Sequence, residues 1–173
     1  MILIRVAGDG LVGALETFAA PWAKIYAHSK PVSAAVLYLH LVTLIISGGV
    51  AFGADRATLR AAGSGAAERA RQLKELWGIH RLVLVGLAIS FISGVLLFLS
   101  DVATFLGSVY IWIKLGCVAL LLVNGFFMTQ TEKALDTSPD DDALWGRLRV
   151  IAITSAFLWL ATALAGVVLS QFA

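Results

Sequence analysis

A lysine inside an apolar stretch is the feature that most constrains this chain. Residues 107–128 read GSVYIWIKLGCVALLLVNGFFM. About 20 such residues, each rising ~1.5 Å along a helix, cross a ~30 Å hydrocarbon core. Lys114 lies well inside this stretch, where a cation is costly unless it snorkels to the interface or meets a partner. Spacings of three and four define one helical stripe, which we expect to face protein rather than lipid. Its members are Lys114, Cys117, Leu121, Asn124 and Met128.

The composition indicates that the rest of the chain is also built for a bilayer. Of 173 residues, 60% are hydrophobic and 14% are charged, whereas soluble domains carry about 25% charged residues. We predict an all-α membrane protein with one transmembrane domain, residues 31–173, folded as an up-down bundle of four helices. The spans are expected at about 31–53, 79–100, 107–128 and 150–170, with Asp55 just beyond the first. The lipid bilayer is the expected partner, and no nucleic acid is, because the excess cations flank the spans.

Residues 1–30 are predicted to form a tail with an amphipathic helix. Its apolar residues recur at helical spacing: Leu11, Leu15, Phe18, Trp22, Ile25 and Tyr26. Such a helix can lie in the membrane interface, with Trp22 and Tyr26 at the level of the headgroups. Packing against a partner subunit explains the same pattern. Pro21 is expected to kink this helix or divide it in two.

Two long polar loops, 54–78 and 129–149, carry most of the lysines and arginines. The positive-inside rule therefore places both loops in the cytoplasm and both termini outside, for a multi-pass protein of the plasma (inner) membrane. The first loop is read as a solvated connector in which residues 66–76 form a short helix, with Ser64 as a candidate N-cap.

Small residues at intervals of four predict close helix packing within the bundle. The first span contains the pair Gly49 and Gly53, and the second contains a ridge formed by Gly86, Ser90 and Gly94.

The rise per residue places one polar residue from each span in the same outer-half layer. Counted from the outer ends, Lys114 lies at a depth of about 10 Å and His40 at about 13 Å. Ser93 and Thr162 fall within one turn of that level. Two simpler explanations stay open: Lys114 can snorkel outward, and His40 can be hydrogen-bonded to a backbone carbonyl.

His40 is the best candidate for a haem or metal ligand. His80 lies at the cytoplasmic end, about 18 Å or more from His40 in depth, so we do not expect both to bind one haem. Copper is disfavoured because the soft ligands Cys117 and Met128 lie on one helix, far from His40. No hydrolase or phosphate-binding motif occurs. The absence of paired carboxylates in the spans also argues against a proton-driven carrier.

Two stretches carry a family resemblance. LHLVTLIISGGVAF resembles the opening helix of the CopD-like membrane families, and YIWIKLGCVALLLVN is similar to one of their later helices. The same layout over four helices resembles the HemJ-type protoporphyrinogen oxidases, which implies bound haem b and functional histidine and lysine positions. HemJ-type proteins also have an arginine within or near the second helix, and the nearest here is Arg81 at its cytoplasmic mouth. The residues that carry the likeness are His40, Gly48, Gly49, Trp112, Lys114 and Asn124.

The leading hypothesis is an outer-half pocket that binds haem b for redox chemistry or electron transfer. His40 would be the axial metal ligand and Lys114 would pair with a propionate, aided by Ser93 and Thr162. Oxidase chemistry of the HemJ type is the more specific form of this hypothesis. Whether the chain is an enzyme stays open. The alternative is a non-catalytic accessory subunit of a larger membrane complex, in which these side chains are satisfied internally. Besides the bilayer, the candidate partners are other membrane subunits or further copies of this chain. Copper import of the CopD type is a third, disfavoured reading.

Overall fold

The computed structural model describes residues 2–172, with side chains described for residue 10 and residues 12–172. Within that part of the chain every regular element is an α-helix. The helices are α1 (Ile2–His28), α2 (Lys30–Ala62), α3 (Ala66–Phe98), α4 (Val102–Gly107), α5 (Val109–Thr137) and α6 (Asp142–Phe172). Four of them, α2, α3, α5 and α6, are long and apolar enough to cross a membrane. The prediction of an all-α, four-span, multi-pass membrane protein is confirmed.

The long helices extend far past the predicted spans on the side of the two polar loops. Only residues 63–65 and 138–141 remain outside helices there. Hydropathy marks the length of helix that suits lipid, whereas residues such as Ala, Arg, Glu and Lys favour helix in water as well. The solvated connector is therefore mostly the continuation of α2 and α3.

The prediction of a separate short helix at 66–76 is wrong, because these residues form the first turns of α3. Ser64 is not its N-cap either. Gly65 holds that position, and the Ser64 hydroxyl instead donates a hydrogen bond to the Arg60 carbonyl at 2.9 Å, closing the end of α2.

The N-terminal helix α1 is continuous, so the prediction that Pro21 divides it is wrong. A proline inside a helix removes one backbone donor, a loss that the rest of the helix here tolerates. The Trp22 indole Nε1 donates a hydrogen bond to the Leu96 carbonyl at 2.8 Å, which fastens α1 to the last turn of α3. The side chain of Leu11 lies outside the described residues, and the interfacial position of α1 stays a prediction.

The bundle consists of two helical hairpins, α2–α3 and α5–α6, which meet along a seam between α2 and α6. We call the end with residues 63–65 and 138–141 the hairpin end. The opposite end carries α1 and α4 and is called the α4 end. There the short connection after Asp101 is itself helical, and the Asp101 carboxylate caps α4 by accepting from the Thr104 amide at 3.2 Å.

The core lies near the hairpin end, where α2, α5 and α6 bury a cluster around Trp145. Arg69 of α3 ties the two hairpins together at the same end. Its guanidinium donates to the Ala62 carbonyl at 2.9 Å, lies 2.8 Å from the Asp142 carboxylate and stacks 5.2 Å from the centre of the Trp145 ring. A planar cation with several donors is suited to bridging a carbonyl, a carboxylate and an aromatic face at once.

The glycines of α3 allow it to approach α2 closely, as the ridge predicted. The space that a Cβ would need at Gly86 is taken by Ser47, and a Cβ at Gly94 would lie 3.1 Å from Cε1 of His40. By contrast, a Cβ at Gly49 or Gly53 would meet nothing within 4 Å, so that pair does not mark a close approach within this chain.

Candidate functional site

A cleft separates α3 from α5, and its back wall is formed by α2 and α6. It holds two cavities, one above the other. The α4-end cavity has a volume of about 460 Å³ and the hairpin-end cavity about 320 Å³. Trp159 of α6 lines both, and it lies against Gly48, where a Cβ would come within 3.1 Å of the indole. The walls of both cavities are mainly apolar side chains, and few polar groups lie among them.

His40 lines the α4-end cavity and is only 8% exposed. Its Nδ1 lies 2.9 Å from the Ser90 carbonyl, which can only accept a hydrogen bond. Nδ1 therefore carries the proton, and Nε2 of the neutral ring keeps its lone pair. Nε2 is buried and has no hydrogen-bond partner. The structure thus satisfies one nitrogen of the ring and leaves the other free.

The serines of α3 fix the orientation of this ring. Ser93 places its hydroxyl 3.1 Å from Nδ1 of His40 and donates to the Ile89 carbonyl at 2.9 Å. Ser90 lines the cavity and supplies the carbonyl that holds Nδ1. The sequence pattern assigned Ser90 to the packing ridge alone, because the carbonyl it presents to His40 leaves no trace in residue type.

Lys114 and Thr162 line the same cavity as His40. The Lys114 side chain runs beside Gly166 of α6, where a Cβ would lie 3.6 Å from Nζ. Thr162 is 4% exposed, and its hydroxyl has no hydrogen-bond partner. Among the described residues that line this cavity, Lys114 is the sole lysine or arginine. Of the four residues predicted to share one layer, His40, Lys114 and Thr162 line this cavity, and Ser93 lies behind His40. Their role in binding a cofactor stays a prediction.

The polar stripe of α5 faces protein, as predicted. Asn124 donates from Nδ2 to the Ile151 carbonyl of α6 at 3.2 Å, and Met128 is buried in the core cluster. Lys114 of the same stripe lies against Gly166 of α6.

A second polar group, which the sequence pattern did not assemble, lies at the hairpin-end cavity. Asp55 is 3% exposed and lines this cavity together with His80 and Ser155. Nε2 of His80 lies 3.3 Å from a carboxylate oxygen of Glu132, and its Nδ1 lies 3.1 Å from the Leu76 carbonyl. As expected, His80 is at the opposite end of the bundle from His40.

Asp55 of α2 and Glu132 of α5 lie beyond the predicted spans 31–53 and 107–128, in the parts of these helices that extend toward the hairpin end. The expectation that no carboxylates pair within the spans stays a prediction. A signal for Asp55 was present. The buried stripe of His40, Thr43 and Ser47 continues through Ala51 to Asp55, so Asp55 faces the bundle interior. Hydropathy alone instead marks Asp55 as the polar boundary of the first span.

The fold and the cleft define a class: a multi-pass membrane protein whose two helical hairpins enclose a cleft between α3 and α5. Comparison of the chain with protein-family models, curated proteins and solved structures finds no match. Among the residues that the structure describes, no three or more His, Cys, Asp or Glu side chains gather closely enough to hold a metal ion.

Proposed function

We propose that the α4-end cavity binds haem b, with Nε2 of His40 as an axial ligand, and that the protein takes part in electron transfer within the membrane. The observation that carries this proposal is the buried, unpartnered Nε2 of a histidine whose Nδ1 donates to a backbone carbonyl. Histidines that bind metals almost always donate their other ring N–H in this way, which fixes both tautomer and orientation.

The remaining residues of the cavity fit the same group. A volume of about 460 Å³ lies within the range of about 300–1,000 Å³ for small-molecule sites. The apolar walls suit a macrocycle, Lys114 supplies a cation for a propionate, and Thr162 offers an unpaired hydroxyl. When bound, haem supplies one-electron redox chemistry. The chain itself orients the imidazole, excludes water and balances charge. The resemblance to the HemJ-type families points the same way and adds oxidase chemistry as the sharper form of the proposal.

The proposal includes an orientation in the plasma membrane. The lysines and arginines gather at the hairpin end, so this end lies in the cytoplasm and the α4 end, with the His40 cavity, lies toward the outside.

The first test is an absorption spectrum of the protein purified in mild detergent, oxidised and then reduced with dithionite. We expect a Soret band that shifts on reduction. His40→Ala should lose the haem while keeping its helical circular dichroism, and free imidazole should restore part of the binding. His28→Ala is the matched control, because His28 is exposed and its Nδ1 only contacts the Lys24 carbonyl of its own helix.

A protein that is colourless, and stays so after haem is added, would refute this function. The accessory-subunit reading would then take its place, and defined partner proteins should remain bound through gel filtration in mild detergent.

A further inference from the structure

The hairpin-end cavity presents a buried acid to an apolar space. The side chain of Asp55 is 3% exposed, and one of its carboxylate oxygens, Oδ2, has no hydrogen-bond partner. The other walls are mostly apolar and include the large side chains of Phe126, Met128 and Trp159. An ionised carboxylate in such surroundings is very costly unless a cation accompanies it.

No cation of the chain is in place to fill this role among the described residues. No lysine or arginine lines the cavity. His80 lines it, but its Nε2 is directed to Glu132 and its Nδ1 to a backbone carbonyl. From α6 the cavity receives only neutral side chains, those of Ser155 and Trp159. Glu132 of α5 faces Nε2 of His80 at 3.3 Å, and the two groups share one proton, so this pair has no net positive charge to offset Asp55.

We propose that the hairpin-end cavity binds a lipophilic organic cation, a protonated amine or a quaternary ammonium group, with Asp55 as its counter-ion. When the cavity is empty, a proton neutralises the Asp55 carboxyl, so cation and proton compete for one site. The ring faces of Trp159 and Phe126 provide further attraction for a desolvated cation. The cleft between α3 and α5 gives an amphiphile dissolved in the bilayer a direct route to the cavity.

The side chains of this cavity favour an organic cation over a metal ion. A metal ion needs several oxygen or nitrogen ligands, and the described residues gather no such cluster here. A bulky organic cation instead buries its apolar groups against the walls and needs one carboxylate. This site does not depend on haem in the other cavity.

The test measures binding of methyltriphenylphosphonium to the purified full chain by isothermal titration calorimetry in a non-ionic detergent. Triphenylphosphine oxide, which is similar in shape but uncharged, is the matched control ligand. We expect one phosphonium bound per chain, binding that weakens as the pH falls, and at least tenfold weaker binding of the phosphine oxide. Asp55→Asn should weaken phosphonium binding at least tenfold, whereas Asp140→Asn, which changes an exposed acid of the 138–141 connection, should leave it unchanged.

A second measurement on the unaltered chain keeps the proposal testable if Asp55→Asn does not fold. Dicyclohexylcarbodiimide modifies protonated carboxyl groups in apolar surroundings, and peptide mass spectrometry reads the site. We expect Asp55 to be modified and the phosphonium, not the phosphine oxide, to protect it. Equal binding of both ligands, equal binding by Asp55→Asn, or no protection of Asp55 would each overturn the proposal. Phosphonium binding by a haem-free preparation would separate this site from the function proposed above.

Discussion

His40 and Asp55 lie on the same buried face of α2, yet their surroundings give them different chemistry. His40 has a serine carbonyl to hold one ring nitrogen, so its free nitrogen is a neutral donor of electrons to a ligand. Asp55 lies among apolar side chains with one oxygen unpaired, so its need is a positive charge. The same face of α2 therefore carries one side chain that can donate an electron pair and another that requires a positive charge, about four turns apart.

A prediction at the residue scale concerns Lys114, and it depends on haem in the α4-end cavity. A nearby cation favours the reduced haem, because reduction removes a positive charge from the iron. Lys114→Met should therefore lower the midpoint potential by roughly 50 mV, about 1 kcal/mol, the order expected for one partly screened charge. A spectroscopic redox titration measures it.

The controls for this prediction come from the same chain. Lys114→Arg keeps the charge and should shift the potential less, and Lys133→Met removes an exposed lysine from the other end of α5 and should not shift it. A potential that is the same in Lys114→Met and the unaltered protein would show that Lys114 does not act on the haem.

Residue-level prediction from sequence succeeded where depth alone decides. His40, Lys114 and Thr162 could be assigned to one level because the rise per residue converts sequence position into depth. Ser90 and Asp55 were not recognised as site residues. Their roles depend on the rotation of each helix about its axis and on a backbone carbonyl, and hydropathy reports neither.

At the scale of elements, the close approach of α2 and α3 depends on Gly86. In Gly86→Ala the new Cβ would occupy the space of the Ser47 hydroxyl, and Ser47 is buried where α2 meets α3. We expect a loss of about 1–3 kcal/mol, as for other overpacked contacts, seen as a drop of several degrees in the thermal midpoint in detergent.

Two further variants show whether this loss is specific. Gly116→Ala places a Cβ where nothing lies within 4 Å, so it should be neutral or slightly stabilising through helix propensity. Ser47→Ala combined with Gly86→Ala should recover part of the loss, because the hydroxyl is the closest obstacle. An unchanged midpoint in Gly86→Ala would mean that α3 shifts at no cost.

Helix bounds were the least predictable property of the elements. The apolar core of each span was evident from its run of hydrophobic residues. The extension of α2, α3 and α5 into polar sequence was not, because those turns are stabilised by helix propensity and by contacts at the hairpin end such as Arg69 with Asp142. The α1 helix likewise continues through Pro21.

At the scale of the whole molecule, the proposed orientation can be read with single cysteines in a Cys117→Ala background. Ser64→Cys and Ser138→Cys lie at the hairpin end, and Gly107→Cys lies at the α4 end. A membrane-impermeant maleimide added to intact cells should label only Gly107→Cys, because the excess of lysine and arginine keeps the hairpin end in the cytoplasm. Labelling of the two hairpin-end positions alone would reverse the orientation.

The two arms of the bundle, α2–α3 and α5–α6, are tied to each other at both ends of the cleft. Near the hairpin end the Trp145 cluster and Arg69 hold them together, and at the α4 end the chain itself connects α3 to α5 through α4. Between these two ties the arms meet along the seam of α2 with α6, which is the back wall of the cleft. Separation of α3 from α5 is therefore restrained at both ends, and it meets least resistance midway along the cleft, at the level of Trp159, which lines both cavities.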